Sequence, residues 1–165
     1  MTENELAKEN KNVKSILIVD DEDLFRKALE TQLSMRGYRV MDVNNGADAV
    51  LIVRDKNPDV VVLELKMPGF DGIQTLSEMK KLRPDVRIIM LTDHGGAETA
   101  RISRDSDAFR CIQKPCGLDE LIAAIEEAGR ERAGDGGSPA TPAANRTGAI
   151  ELIKAFFRRL AARAG

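Results

Sequence analysis

The sequence predicts an α/β domain in which a five-stranded parallel sheet carries helices on both faces. Short apolar runs rich in β-branched residues, such as the valines at 60–62, are too short for helices and are typical of strands buried on both sides. A helical pattern follows each of the five runs. This alternation predicts parallel strands, because each helix returns the chain to the edge where the next strand begins.

The predicted strands are marked by their apolar content and by the residues at their ends. The first run ends at Asp20-Asp21, and the third ends at Glu64, before the loop signal Pro68-Gly69. The second is a short alternating segment, the fourth ends at a hydroxyl and the fifth ends at a lysine. The predicted strands are residues 15–19, 38–43, 59–64, 86–92 and 109–113.

The predicted helices show apolar residues three or four positions apart and a signal that ends them. In the first helix, Leu24, Ala28, Leu29 and Leu33 recur at helical spacing, and Gly37 follows. A proline follows the second and the third helix, and the fourth has so few apolar residues that we expect it to be mobile or to face a partner. The predicted helices are residues 23–35, 46–54, 73–82, 98–104 and 118–130.

Composition narrows the class of protein. The chain has 165 residues, of which 42% are hydrophobic and 32% charged, with a net charge of −2, so the whole chain has no basic footprint for nucleic acid. No apolar run approaches the roughly 20 residues of a membrane span, and the N-terminus lacks the apolar region of a secretory signal. Two cysteines and one histidine give no metal spacing and no disulfide framework, so we expect a cytoplasmic protein with reduced thiols.

Both ends of the chain differ in character from the domain at 15–130. Residues 1–14 are polar and are expected to form a flexible tail, and residues 131–146, rich in Gly, Pro and Ala, are expected to form a linker. Residues 147–165 predict an amphipathic helix with four basic residues and one acidic residue. Three interpretations of this helix remain: it packs on its own domain or a second copy, it docks on a partner protein, or it lies on an anionic lipid surface.

Polar side chains gather at the carboxyl ends of four predicted strands. Asp20 and Asp21 follow the first strand, and Glu64, Thr92 and Lys114 lie at the ends of the third, fourth and fifth. Because parallel strands end at one edge, we expect these side chains to share a rim, where α/β proteins place their sites. Acids of this kind hold Mg²⁺, and a hydroxyl and an amine hold phosphoryl oxygens. The plainer alternatives are solvated strand ends and an aspartate that caps the following helix.

Motifs in the domain at 15–130 resemble those of the receiver domain of two-component response regulators, a CheY-like domain. The resemblance implies a flavodoxin-like fold with strand order 2-1-3-4-5. The motifs occur in the family's order and are Ile-Leu-Ile-Val-Asp-Asp at 16–21, Lys-Met-Pro-Gly-Phe-Asp-Gly at 66–72, Met-Leu-Thr at 90–92 and Gln-Lys-Pro at 113–115.

The resemblance also implies roles for individual residues. Asp20, Asp21 and the main-chain carbonyl of Lys66 match the family's Mg²⁺ ligands. Thr92 matches the switch hydroxyl, and Lys114 matches the lysine that contacts the phosphoryl group.

Two positions depart from the family pattern. Glu64 stands where the family has its phosphoacceptor aspartate, and Cys111 stands where it has the switch aromatic. Phe109 lies two residues before Cys111, and strand alternation predicts that it is on the same face. One extra methylene displaces the carboxylate, and a misplacement of about 1 Å costs about a hundredfold in rate. We therefore expect Glu64 to be phosphorylated poorly.

The sequence thus predicts an atypical response regulator in a phosphorelay system, which signals by protein contact and has no enzymatic output. Its partner is expected to be a histidine kinase or a downstream effector protein, and Mg²⁺ binding is expected to be weak or absent. Glu64 either imitates the phosphorylated state or is inert. One alternative is a working phosphoacceptor domain fed by a histidine kinase. The other is a flavin-binding flavodoxin relative. The absence of a Gly-rich phosphate loop after the first strand argues against it.

Overall fold

The computed structural model describes residue 13 and residues 15–68, 70–93 and 95–134. Within these residues a five-stranded parallel sheet has the order β2-β1-β3-β6-β7, and β4 and β5 form a separate two-stranded antiparallel ladder. Counted along the main sheet alone, the order is 2-1-3-4-5, so the predicted fold is confirmed. The strands are β1 Ser15–Val19, β2 Arg39–Val43, β3 Val60–Glu64, β4 Lys66–Met67, β5 Phe70–Asp71, β6 Arg87–Thr92 and β7 Arg110–Gln113.

Five helices connect the strands in the described part of the chain. They are α1 Asp23–Met35, α2 Gly46–Lys56, α3 Gly72–Leu82, α4 Ala97–Asp105 and α5 Leu118–Gly134. Helix α5 continues four residues past its predicted end, into the range predicted as linker. The predicted tail and C-terminal helix lie outside the described residues, except for Val13. No helix among the described residues is both long and apolar enough to cross a membrane.

The sheet separates two apolar layers. Leu17, Leu63 and Met90 face the layer covered by α2, α3 and α4, and their neighbours Ile18 and Val62 face the layer covered by α1 and α5. All five residues of β1 and all five of β3 are buried, which is why these strands are continuous apolar runs. The polar residues at the ends of β1 and β3 are therefore held by strands that are buried along their whole length.

Helix α1 has the predicted bounds but a different buried face. Its buried residues are Arg26, Leu29 and Leu33, whereas Leu24 is 83% exposed and Ala28 is also exposed. The spacing that predicted the helix does not define its buried face, because Leu24 and Ala28 lie on the solvent side and the face against the sheet includes a buried arginine. This arrangement leaves apolar surface on the solvent side of the helix.

Candidate functional site

The site lies at the carboxyl ends of β1, β3, β6 and β7. Asp20 follows β1, Glu64 and Thr92 are the last residues of β3 and β6, and Lys114 follows β7. The backbone N–H of Lys114 donates to the carbonyl of Thr92 at 2.8 Å, and that of Leu65 donates to the carbonyl of Leu91 at 2.8 Å. Strand pairing thus continues to the rim and sets the positions of these side chains.

Lys114 bridges the two buried acids. Its ammonium donates to Asp20 Oδ2 at 2.8 Å, and it lies 2.6 Å from Glu64 Oε2. Asp20 is 2% exposed and Glu64 is 3% exposed, so both carboxylates are withdrawn from water. The ammonium also lies 4.2 Å from the centre of the Phe25 ring, at cation–π distance. The structure therefore places one cation between two anions in a largely dry environment.

The charges of this group are set by burial and by one another. Burial raises the pKa of Glu64, and the nearby Lys114 ammonium offsets only part of that effect. Burial by itself would lower the pKa of Lys114, but hydrogen bonds and charge attraction from Asp20 and Glu64 outweigh it, and the pKa is raised. Lys114 is accordingly charged at neutral pH, and its ammonium offsets part of the charge of the two acids.

Arg26 holds the Asp20 loop in place, and the sequence patterns did not identify it. Its guanidinium donates to the Asp20 carbonyl at 2.8 Å and to Asp42 Oδ2 at 2.6 Å, and it pairs with Asp23 at 2.5 Å. The Glu22 backbone N–H donates to Asp20 Oδ1 at 2.8 Å, so the carboxylate is held at both oxygens. The sequence feature that could have identified Arg26 is its spacing, three and seven residues before the apolar Leu29 and Leu33 of α1.

Gly72 allows the α3 start to approach the end of β3. A Cβ at this position would lie 2.6 Å from the Leu65 carbonyl oxygen and 2.7 Å from that of Glu64, and backbone atoms cannot give way. The Gly72 N–H donates to the Leu65 carbonyl at 3.0 Å, and Asp71 caps the helix by accepting from the Ile73 N–H. The Asp71-Gly72 pair, which predicts a loop, also holds the backbone beneath Glu64.

The other predicted site residues lie at different depths. Asp21 is exposed. The Lys66 backbone N–H donates to Glu64 Oε1 at 3.3 Å, and its exposed side chain forms an ion pair with Glu98 at 3.4 Å. Cys111 is half-buried in the layer of α2, α3 and α4, and burial raises the pKa of its thiol.

Phe109 does not lie on the same face as Cys111. It packs in the layer of α1 and α5, and its ring centre is 5.9 Å from the Arg87 guanidinium. The alternation prediction is wrong here because β7 begins at Arg110, so Phe109 precedes the regular strand.

The donor chemistry at this rim suits Mg²⁺, and Asp20 is already engaged by other groups of the protein. Across the described ranges no group of three His, Cys, Asp or Glu side chains is placed to hold a metal ion. Asp20 accepts from the Glu22 backbone N–H at 2.8 Å and from the Lys114 ammonium at 2.8 Å, so a cation at this carboxylate would compete with Lys114. The single Lys114 ammonium offsets part of the negative charge of the two acids.

The chain is a doubly wound α/β protein, and its candidate site, with buried acids and a lysine, lies at the carboxyl edge of the parallel sheet, where such proteins place their sites. The model of the response regulator receiver domain family matches residues 16–126. The chain belongs to this family. Receiver domains are signalling modules that interact with histidine kinases and effector domains.

Curated relatives share the domain to different extents of their own length. The chain is 37% identical over 116 residues to the regulatory protein AtoC of Escherichia coli, and this match covers 70% of this chain and 25% of AtoC. It is 35% identical over 112 residues to the sporulation initiation phosphotransferase F of Bacillus subtilis, covering 68% of this chain and 90% of that protein. The chain therefore spans about a quarter of one relative and nearly all of the other.

Solved structures show the same fold. The crystal structure of a CheY-like response regulator receiver domain protein from Methanospirillum hungatei superposes with a TM-score of 0.70 at 27% identity. The match covers 75% of this chain and 99% of that one. The likeness therefore extends over three quarters of this chain and nearly the whole of that protein.

Proposed function

We propose that this chain is an atypical response regulator of a phosphorelay system that signals by protein contact, without being phosphorylated at Glu64. Glu64 occupies the position of the family's phosphoacceptor aspartate, at the end of β3. The observation that carries the proposal is the ion pair between Glu64 Oε2 and Lys114 Nζ at 2.6 Å. The partner is a histidine kinase or a downstream effector protein.

The ion pair opposes acyl phosphate formation in two ways. The attacking oxygen must be directed at the phosphorus atom, and attraction to the Lys114 ammonium 2.6 Å away favours keeping Glu64 Oε2 where it is. The extra methylene of glutamate also displaces the carboxylate, and about 1 Å of misplacement costs about a hundredfold in rate. The backbone that carries the residue cannot retract to compensate, because Gly72 packs directly against it.

The same contact supports a single signalling conformation. The ammonium holds Glu64 and Asp20 together, and a phosphoryl group would have to displace one of them. Thr92 and Cys111 take the switch positions of the family, and a cysteine is too small to exchange between inward and outward packing as an aromatic ring does. We therefore infer a domain whose partner-facing surface is constant.

Mg²⁺ binding is proposed to be weak or absent. Asp20, Asp21 and the Lys66 carbonyl are the candidate ligands. The hydrogen bond from Lys114 to Asp20 at 2.8 Å supports this proposal, since a divalent cation would have to displace it. A Mg²⁺ titration monitored through the amide NMR shifts of the β1–α1 loop tests this proposal. Saturation of those shifts at micromolar Mg²⁺ would contradict it.

The decisive experiment is intact-mass spectrometry after incubation with acetyl phosphate and Mg²⁺. We expect no phosphoryl adduct on the natural chain and an adduct on the variant Glu64→Asp, which restores the shorter acid. The variant Glu64→Gln is the control for phosphorylation elsewhere in the chain. A stoichiometric adduct on the natural chain that Glu64→Gln abolishes would overturn the proposal.

A second candidate function is a working phosphoacceptor fed by a histidine kinase. It is favoured by the match to the sporulation initiation phosphotransferase F, which extends over 90% of that protein. The experiment above separates the two functions, because only the second requires a phosphoryl group on Glu64.

A further inference from the structure

The exposed large apolar side chains of the described residues are Leu24 and Met35, which are 83% and 77% exposed, and both lie on α1. Eleven residues apart, they differ by only about 20° around the helix, so they lie on one side of it. Ala28 and Thr31, which are also exposed, fall between them. We call Leu24, Ala28, Thr31 and Met35 the α1 stripe. The opposite side of α1 carries the buried Leu29 and Leu33.

We propose that the amphipathic segment 147–165 of the same chain packs antiparallel on the α1 stripe. Its predicted apolar face contains Ile150, Phe157 and Ala161, spaced by seven and four residues. The α1 stripe has the reverse order of spacings, with Leu24 and Ala28 four residues apart and Ala28 and Met35 seven apart. In an antiparallel pairing the two patterns match.

Side-chain sizes agree with this register. Ala161 falls opposite Leu24, Phe157 opposite Ala28, and Ile150 opposite Met35. The largest of the three paired side chains of the segment thus meets the smallest of the α1 stripe, as interdigitating helices require. In both patterns the outer two residues are 11 positions apart, which corresponds to about 16 Å along a helix.

Charges agree with the same direction. Asp21, Glu22 and Asp23 are exposed beside the Leu24 end of the α1 stripe, and Arg36 is exposed beside the Met35 end. The antiparallel register brings the basic half of the segment to the acidic end, and brings Glu151 toward Arg36. A parallel register would bring Glu151 toward the acids. The basic residues of the segment are Lys154, Arg158, Arg159 and Arg163.

The connection between the two helices permits this pairing. Helices α1 and α5 cover the same face of the sheet, and the Tyr38 hydroxyl, next to the α1–β2 turn, donates to Glu126 Oε1 of α5 at 3.1 Å. Both helices run away from the carboxyl edge of the sheet, so Gly134 and Met35 lie toward the same edge. Residues 135–146 fall in the range predicted as a linker and number 12, and a linker of that length has a root-mean-square reach of about 20 Å.

Disulfide trapping in the full chain tests the pairing. The pairs Leu24→Cys with Ala161→Cys and Met35→Cys with Ile150→Cys are expected to close within one molecule. The mispaired control, Leu24→Cys with Ile150→Cys, is expected to close at least about tenfold more slowly, because the effective concentration of the two thiols is lower. Peptide mapping separates these bridges from any that involve Cys111 or Cys116.

The second measurement compares Phe157→Glu with Ala155→Glu, which places the same charge on the opposite side of the predicted helix. We expect backbone amide shifts along α1 to change with Phe157→Glu and to stay constant with Ala155→Glu. Equal closure rates for matched and mispaired pairs would overturn the proposal. So would a bridge between two molecules, which would assign the α1 stripe to a second copy, or α1 shifts that respond equally to both variants.

Discussion

Replacing Lys114 by methionine removes the cation that lies between Asp20 and Glu64. Methionine keeps most of the volume of the lysine stem, so the packing against Phe25 is largely preserved. The two carboxylates, 2% and 3% exposed, are then left without the ammonium that lies 2.8 and 2.6 Å from them. The substitution therefore isolates the charge of Lys114.

The expected loss of stability is about 3–5 kcal/mol at pH 7, the usual cost of removing one member of a buried ion pair. The double variant Lys114→Met with Glu64→Gln is expected to recover about 2 kcal/mol, because only one buried acid then remains uncompensated. Asp20 keeps the hydrogen bond from the Glu22 N–H at 2.8 Å, which limits the remaining cost.

The loss is expected to depend on pH. Burial raises the pKa of Glu64 above the 4.5 of the unfolded chain, and removal of Lys114 raises it further. A carboxyl group with a raised folded pKa binds more protons in the folded state, so its penalty is present at high pH and disappears as the pH falls. The deficit of Lys114→Met should therefore shrink between pH 7 and about pH 4.5.

Urea unfolding followed by circular dichroism at pH 7 and pH 5 measures these quantities. The matched control is Lys81→Met, which removes a more exposed lysine from its ion pair with Glu78 and should change stability little. A Lys114→Met deficit no larger than that of the control, or one that does not change with pH, would refute the bridging role of Lys114.

Three further predictions concern the residues that support the site. Arg26→Met is expected to lose about 3–5 kcal/mol in urea unfolding, since the buried guanidinium contacts both Asp42 and the Asp20 carbonyl. Burial alone would raise the pKa of Asp42, but Arg26 and Lys27 lower it. The folded protein should therefore lose stability as the pH drops below about 4, and this loss should be less steep in Arg26→Met. Gly72→Ala is expected to lower the melting temperature by several degrees and to shift the β3–β4 amide resonances, because its Cβ meets backbone at 2.6 Å; unchanged resonances would contradict the close packing.

Sequence patterns located most of the secondary structure because the signals are local. The buried runs 15–19 and 60–64, the turn at Gly37 and the Asp71-Gly72 pair each depend on a few neighbouring residues. The same patterns failed where a single position decided the outcome. Leu24 is exposed although it has helical spacing to Ala28, and Phe109 leaves the face of Cys111 because the strand begins one residue later.

The sequence by itself determined a parallel α/β domain with acids, a hydroxyl and a lysine at the ends of its strands, because the apolar runs and the alternation of strands with helices along the chain are short-range patterns. Only the tertiary structure decided that Lys114 pairs with both Asp20 and Glu64, although Asp20 is 94 residues away in the sequence. It also decided that Arg26 is buried against Asp42. These contacts depend on the depth and direction of side chains from separate strands, which are set when the sheet and helices pack together.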